Sequence, residues 1–156
     1  MAQLTCATDA PTSIRSNNKT LLAKLDTARS QYLQDSANAD KLIWLGRRLA
    51  YVGRYQEAIA IFTKGLERFP KDARMLRHRG HRYLSLRCID KAIADFEAAA
   101  KLVKGKPDEV EPDGLPNAQN IPTSTLQTNI YYHLGLAHYL QKNYAAAEKV
   151  YQQCLK

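Results

Sequence analysis

Apolar side chains recur at three- and four-residue spacing through most of this chain, with polar residues between them, which is the pattern of amphipathic helices. Leu21, Leu22, Leu25, Ala28 and Tyr32 set the first such stretch, over residues 18–36, with Asn17 or Asn18 placed to cap it. Asp40 to Val52 and Tyr55 to Arg68 predict two more helices, divided by Gly53-Arg54, where the glycine suits a left-handed helix stop. Pro70-Lys71-Asp72 closes that pair. Ala73 to Leu86 and Ile89 to Val103 repeat the arrangement around Arg87-Cys88. A last pair is expected from about Thr125 to Gln141, capped by Ser124 or Thr125, and from Tyr144 to Lys156. Residues 1–17, rich in Thr, Ser, Asn, Ala and Pro without periodicity, read as a flexible tail. Between Lys104 and Ser124, four prolines and two glycines argue against any regular element. The pattern predicts seven helices, no strands and one long loop.

The helices are not independent. Gly46, Tyr55, Ala58, Phe62 and Gly65 are followed 34 residues later by Gly80, Ile89, Ala92, Phe96 and Ala99. Gly135, Tyr144, Ala147, Tyr151 and Cys154 come a further 55 residues on, which is the same period plus an insertion of 21. A fixed period of this size marks a stacked-repeat fold, in which each unit buries its apolar face against the next. Residues 18–36 then form an N-terminal capping helix, 39–72 and 73–106 two repeats, and 107–127 the insertion. Residues 128–156 form a third repeat with no capping helix after it.

This pattern resembles the tetratricopeptide repeat, a helix–turn–helix unit of the same period. The early large position of the unit is Leu42, Leu76 and Tyr131, the small eighth position Gly46, Gly80 and Gly135, and the position three further on Leu49, Tyr83 and His138. Tyr55, Ile89 and Tyr144 open the second helix, with Ala58, Ala92 and Ala147 and then Phe62, Phe96 and Tyr151 behind them. Pro70 is the closing proline, in the first unit only. Trp44 stands two residues past the family's tryptophan place, Arg79 replaces the usual leucine before Gly80, and His138 fills an aromatic slot as a packed residue.

The resemblance implies an all-α, right-handed helical-repeat solenoid of about seven antiparallel helices, acting as a non-enzymatic protein-interaction scaffold. It also implies a concave groove lined by the first helix of each unit. Mapped residue by residue, that groove takes Trp44, Arg47 and Tyr51, then Arg74, Arg77, His78 and His81, then Asn129, Tyr132 and His133. The Lys/Asn set with which chaperone-binding relatives hold a terminal carboxylate is missing, since Ile43, Arg47 and His78 occupy three of its places. The uncapped third unit implies a piece of a longer repeat protein, or an end that packs on a partner.

Charge sharpens the ligand. The chain carries a formal +8, yet residues 107–127 hold Asp108, Glu109, Glu111 and Asp113 with no Lys or Arg, which leaves +12 on the remainder. Arginine forks grip carboxylates two-pronged, and Tyr or Trp supplies an apolar wall, so the expected ligand is an acidic peptide segment of a protein partner. On helix geometry Arg74, Arg77 and His81 share a face, while Arg79, Arg82 and Arg87 spread elsewhere. The acidic insertion returns beside that groove, within reach of Arg74 or Arg77, and is placed to occupy it in cis. Neutralising its four acids should then strengthen binding of an acidic probe. Two alternatives run behind: self-assembly as a homodimer through the exposed last helix, and nucleic-acid binding by the basic body, the less expected of the two.

No Ser/His/Asp arrangement with a supporting motif, glycine-rich phosphate loop or HExxH occurs, so no catalytic residue, cofactor or metal is expected, although His78, His81 and His133 converge in register. No run of about 18 apolar residues is present to span a membrane. Cys6, Cys88 and Cys154 match no metal or CxxC spacing and read as free thiols. With no signal peptide visible, that points toward the cytoplasm; a mature secreted or periplasmic domain fits the same residues.

Overall fold

The computed structural model describes residue 6, residues 15–114 and residues 116–154. Seven helices follow one another: α1 (Lys19–Gln34), α2 (Ala39–Tyr51), α3 (Tyr55–Arg68), α4 (Ala73–Ser85), α5 (Ile89–Val103), α6 (Leu126–Leu140) and α7 (Tyr144–Tyr151). Among the described residues there is no strand, only two isolated bridges in the long loop, Val110 with Thr125 and Pro116 with Pro122.

Local chemistry sets the boundaries. Asn18, Asn38 and Asp72 each accept two backbone amides at the start of α1, α2 and α4, and the Thr125 side chain accepts one for α6. The stops of α2, α4 and α6 share one geometry. Gly53, Arg87 and Lys142 all have left-handed φ, of 80°, 61° and 63°. Their amides bond to Ala50, Leu84 and Tyr139, and the next amides to Leu49, Tyr83 and His138, which is the double bond pattern of a Schellman stop. One tight turn is thus built three times in the same register, once with glycine and twice without.

Each helix packs on the next, and α4 also touches both α2 and α6, so these three line one wall. Within each repeat the small residue of the first helix meets the aromatic of the second. A Cβ added at Gly46 would enter the Phe62 ring, one at Gly80 would lie 3.1 Å from Phe96, and one at Gly135 2.5 Å from Tyr151. Phe62 and Phe96 are fully buried there. The glycines are therefore packing contacts that let the ring lie against bare backbone.

The second repeat departs from its neighbours. Leu45 with Ile61 in the first, and Leu134 with Val150 in the third, join their apolar clusters. The matching residues of the second are Arg79 and Asp95. Arg79 Nε and Nη2 donate to the two Asp95 oxygens at 2.8 and 2.7 Å, and Nη1 donates to Thr63 Oγ1 at 3.1 Å. The leucine missing before Gly80 is thus replaced by a two-pronged ion pair across α4 and α5.

Two expectations are corrected. The helix predicted over 144–156 ends at Tyr151, where Gln153 and Cys154 turn more tightly, their amides bonding to Val150 and Tyr151 three residues back. The cysteines are not all free: Cys6 is disulfide-bonded to Cys88 at the cap of α5, and only Cys154 is a free thiol among the described residues. Most of the tail expected over 1–17 lies outside the described residues; within it, the Ser16 amide donates to Val52 O at 3.2 Å.

Candidate functional site

The middle helix of the wall carries the chemistry. On α4, Met75, Leu76, Gly80 and Leu84 turn into the core. Arg77, His78, His81 and Arg82 sit on the other side, at helical spacing, against α2 and the long loop. The loop is strapped down at its base. Leu126 N donates to Glu109 O at 2.8 Å, Glu111 N to Ser124 O at 2.9 Å, and both Glu109 N and Gln127 N to Asp108 Oδ1. Glu111-Pro112-Asp113-Gly114 then turns over the wall, with Pro112 at the second place and Asp113 left-handed at φ 64°, the arrangement of a type II turn. A Cβ at Gly114 would enter Ser124, so the close approach there requires glycine.

That turn inserts a carboxylate. Arg77 Nη2 donates to Glu111 Oε2 at 2.9 Å, and Arg77 Nε lies 2.9 Å from Oε1 as an ion pair outside hydrogen-bond alignment. Asn129 Nδ2, reaching across from α6, donates to Oε2 at 3.0 Å. The next residue is held by its backbone, Arg47 Nη2 donating to Pro112 O at 2.6 Å, and the one after by its side chain, Arg48 Nη1 to Asp113 Oδ2 at 3.1 Å. Arg47 and Arg48 in turn flank Trp44, with guanidinium carbons 4.5 and 4.6 Å from its ring centre. Both ends of the Arg77–Glu111 pair are desolvated. Burial lowers the Arg77 guanidinium, and it pushes the Glu111 carboxyl up while Arg77 and Arg47 pull it back. Desolvation thus offsets much of the Coulombic gain, leaving a latch that is close in contact but weakly favourable.

The expected groove residues separate into three groups. Arg47, Tyr51, Arg77, His78 and His81 line one cavity of about 210 Å³ beneath the turn. Trp44 and Arg74 line a neighbouring cavity of about 270 Å³ with Asp40, Val110 and Leu126. Arg74 is taken by Asp72 and Asp40, at 2.7 and 2.8 Å, and among the described residues no acid of the insertion pairs with it. Asn129 joins the first group through Glu111. His133 is packed behind it, 9% exposed, stacked on Phe96 and 4.3 Å ring to ring from His81. Tyr132 lines neither cavity; it is 51% exposed and leans on Tyr151 and the edge of His133. Burial lowers His78, His81 and His133, the last to about 4. The expectation that Arg82 points elsewhere is corrected: it lies one turn from His78 and lines the same cavity. Among the described residues no group of three His, Cys, Asp or Glu is placed to hold a metal ion, and no helix is long and apolar enough to cross a membrane.

Comparison with known proteins bears on the scaffold rather than on this pocket. One model of the tetratricopeptide repeat matches residues 45–109 and a second matches residues 128–156. Tetratricopeptide repeat protein 12 of Homo sapiens is 29% identical over 119 residues, 76% of this chain but only 14% of its own length. A tetratricopeptide repeat protein crystal structure from Parabacteroides merdae superposes over 86% of this chain and 46% of its own, with a TM-score of 0.61 at 22% identity. Repeat models over more than half of the residues and seven helices stacked in matching register place this chain in the tetratricopeptide repeat family.

Proposed function

We propose that this chain is a non-catalytic interaction scaffold whose wall of α2, α4 and α6 binds an acidic peptide segment of a protein partner. Proteins built from this repeat generally mediate protein–protein contacts. The observation that carries the finer reading is Glu111. A carboxylate of the chain's own loop sits on Arg77 and Asn129, the following carbonyl on Arg47 and the next acid on Arg48. An incoming acidic segment finds the same donors in the same order, and the loop is the occupant it must displace.

Fluorescence anisotropy with a labelled acidic peptide carrying Glu-Pro-Asp-Gly tests this on the full chain. Glu111→Ala with Asp113→Ala, which empties the donors, should tighten binding by about tenfold, and adding Arg77→Met should remove the gain. Equal affinity in all three proteins would sink the groove reading.

A second reading rests on the last repeat, where Tyr139 and Tyr144 are 54% and 57% exposed and pack ring to ring at 5.4 Å. Such an aromatic pair suits a contact between copies. Light scattering at two concentrations tests it, a constant monomer mass ruling it out.

A further inference from the structure

The cavity beneath the turn holds more positive charge than the loop answers. Its lining includes three arginines, Arg47, Arg77 and Arg82, with His78 and His81 beside them. Two acids of the loop, Glu111 and Asp113, also line it, but Glu111 is committed to Arg77 and Asn129, and Asp113 to Arg48, which is not among the lining residues. Among the described residues Arg47 donates only to neutral oxygens, of Tyr51 and Pro112. Arg82 has, among the described residues, no carboxylate and no hydrogen-bond acceptor; its guanidinium lies over the Tyr55 ring, 5.0 Å from the centre. Its nitrogens are not sealed in the protein, since none is among the buried polar atoms left without a partner. A guanidinium that lines a cavity and has no acceptor among the described residues keeps its N–H donors for an incoming anion. Burial lowers this guanidinium to about 10, which fits a charge short of partners.

We propose that the space between Arg47, Arg82 and His78 is an anion site of its own, separate from the Glu111 position, taking an oxyanion of the phosphate class. Arg47 of α2 and Arg82 of α4 both line that cavity, and no hydrogen bond among the described residues uses Arg47 Nη1 or the Arg82 guanidinium. A carboxylate neutralises one of them, whereas a phosphate group brings about −1.5 to −2 charge and three strong acceptor oxygens, enough for both. Tyr51 adds an apolar wall and a hydroxyl already fixed by Arg47 at 2.9 Å. The site needs neither the acidic-peptide reading nor displacement of Glu111.

Calorimetric titration of the full chain with inorganic phosphate, at constant ionic strength set by chloride, tests it. Saturable binding is expected, weakened at least about tenfold by Arg82→Met. Arg87→Gly, which removes an exposed charge from the turn after α4, should leave it unchanged. Arg82→Lys keeps the charge and loses the fork, so it should fall between the two and stands in if Arg82→Met does not fold by circular dichroism. A phosphoserine peptide then separates the sources. If the phosphate tightens peptide binding and Arg82→Met removes that gain, the site reads a modified partner segment; no such gain beside phosphate binding assigns a free oxyanion. No saturable phosphate binding, or equal losses in Arg82→Met and Arg87→Gly, overturns the proposal. The peptide test above turns on Arg77 and Glu111, so either idea can fail without the other.

Discussion

Arg77 and Arg79 stand two residues apart on one helix, and each is paired with a carboxylate, Arg79 by two hydrogen bonds and Arg77 by one hydrogen bond and a close charge contact. Arg79 faces Asp95 on the adjoining helix, inside the second repeat. Arg77 faces Glu111, on a loop of Pro and Gly turns that no helix backs. The chemistry is the same; the mechanical consequence is not. Separating Arg79 from Asp95 requires α4 to leave α5, and with it the Gly80–Phe96 contact. Separating Arg77 from Glu111 requires only that a turn lift off. A buried ion pair therefore belongs to the scaffold or to a latch according to what its acid is attached to.

The largest expected effect tests the scaffold half. Asp95→Ala leaves the half-buried Arg79 without its carboxylate, held only by Thr63 and the Tyr83 face among the described residues, and should cost about 3 kcal/mol in urea denaturation. Arg79→Leu with Asp95→Ile copies the Leu45–Ile61 and Leu134–Val150 places of the neighbouring repeats, and should restore or exceed the original stability. A double variant as unstable as Asp95→Ala would mean that the register comparison between repeats is wrong.

Acid should distinguish the two faces of α4 next. His78 and His81 lie on the groove side of α4, with His133 of α6 packed behind them, and burial holds each below its ordinary value, His133 at about 4 against 6.5. The unfolded chain then binds protons that the folded chain refuses. Stability is complete above about pH 6.5 and falls as pH drops toward 4, by about 3 kcal/mol for His133 alone. His133→Phe, which keeps the ring against Phe96, should flatten that decline. The Arg79→Leu/Asp95→Ile protein should keep it in full, because the three histidines are untouched there.

A third arginine of the same stretch works against its place. Arg87 is exposed at φ 61°, where the first repeat has Gly53, and Lys142 repeats the arrangement at 63°. Replacing either with glycine relieves the left-handed strain and should raise the midpoint by an amount equal to about 0.5–1 kcal/mol each. Gly53→Arg should lose as much. If Arg87→Gly destabilises instead, its side chain contributes something its exposure does not suggest.

How far the sequence carries the reader follows the same division. The 34-residue register places α2 to α7, marks the glycines as small positions and singles out Arg79, because each of these repeats a local pattern; that the glycines meet rings comes from the fold. It does not pair Arg79 with Asp95, since that needs the Ile61 and Val150 places to be compared as well. Arg82 is lost because its side of the helix was inferred from neighbours rather than from the wall opposite. Glu111 is one acid among four, and only the Pro112–Asp113 turn and the close approach of Gly114 to Ser124 select it. Cys6 meets Cys88 across 82 residues with no period to announce it.

The smallest stability change should carry the largest change in binding, and it decides whether the latch is one. Glu111→Ala removes the acid that α4 and α6 hold in common; a sealed Arg77 would then cost several kcal/mol, but the turn above it can lift and admit water to the guanidinium, so the midpoint should move by about 0.5 kcal/mol or less. Locally the loss should be plain: faster amide exchange at Glu111 and faster proteolysis within residues 107–124, with α4 and α5 as protected as before. Affinity for an acidic peptide should rise in the same protein. A global loss as large as that of Asp95→Ala would show instead that the loop is part of the scaffold, and that Arg77 and Arg79 are two copies of one device.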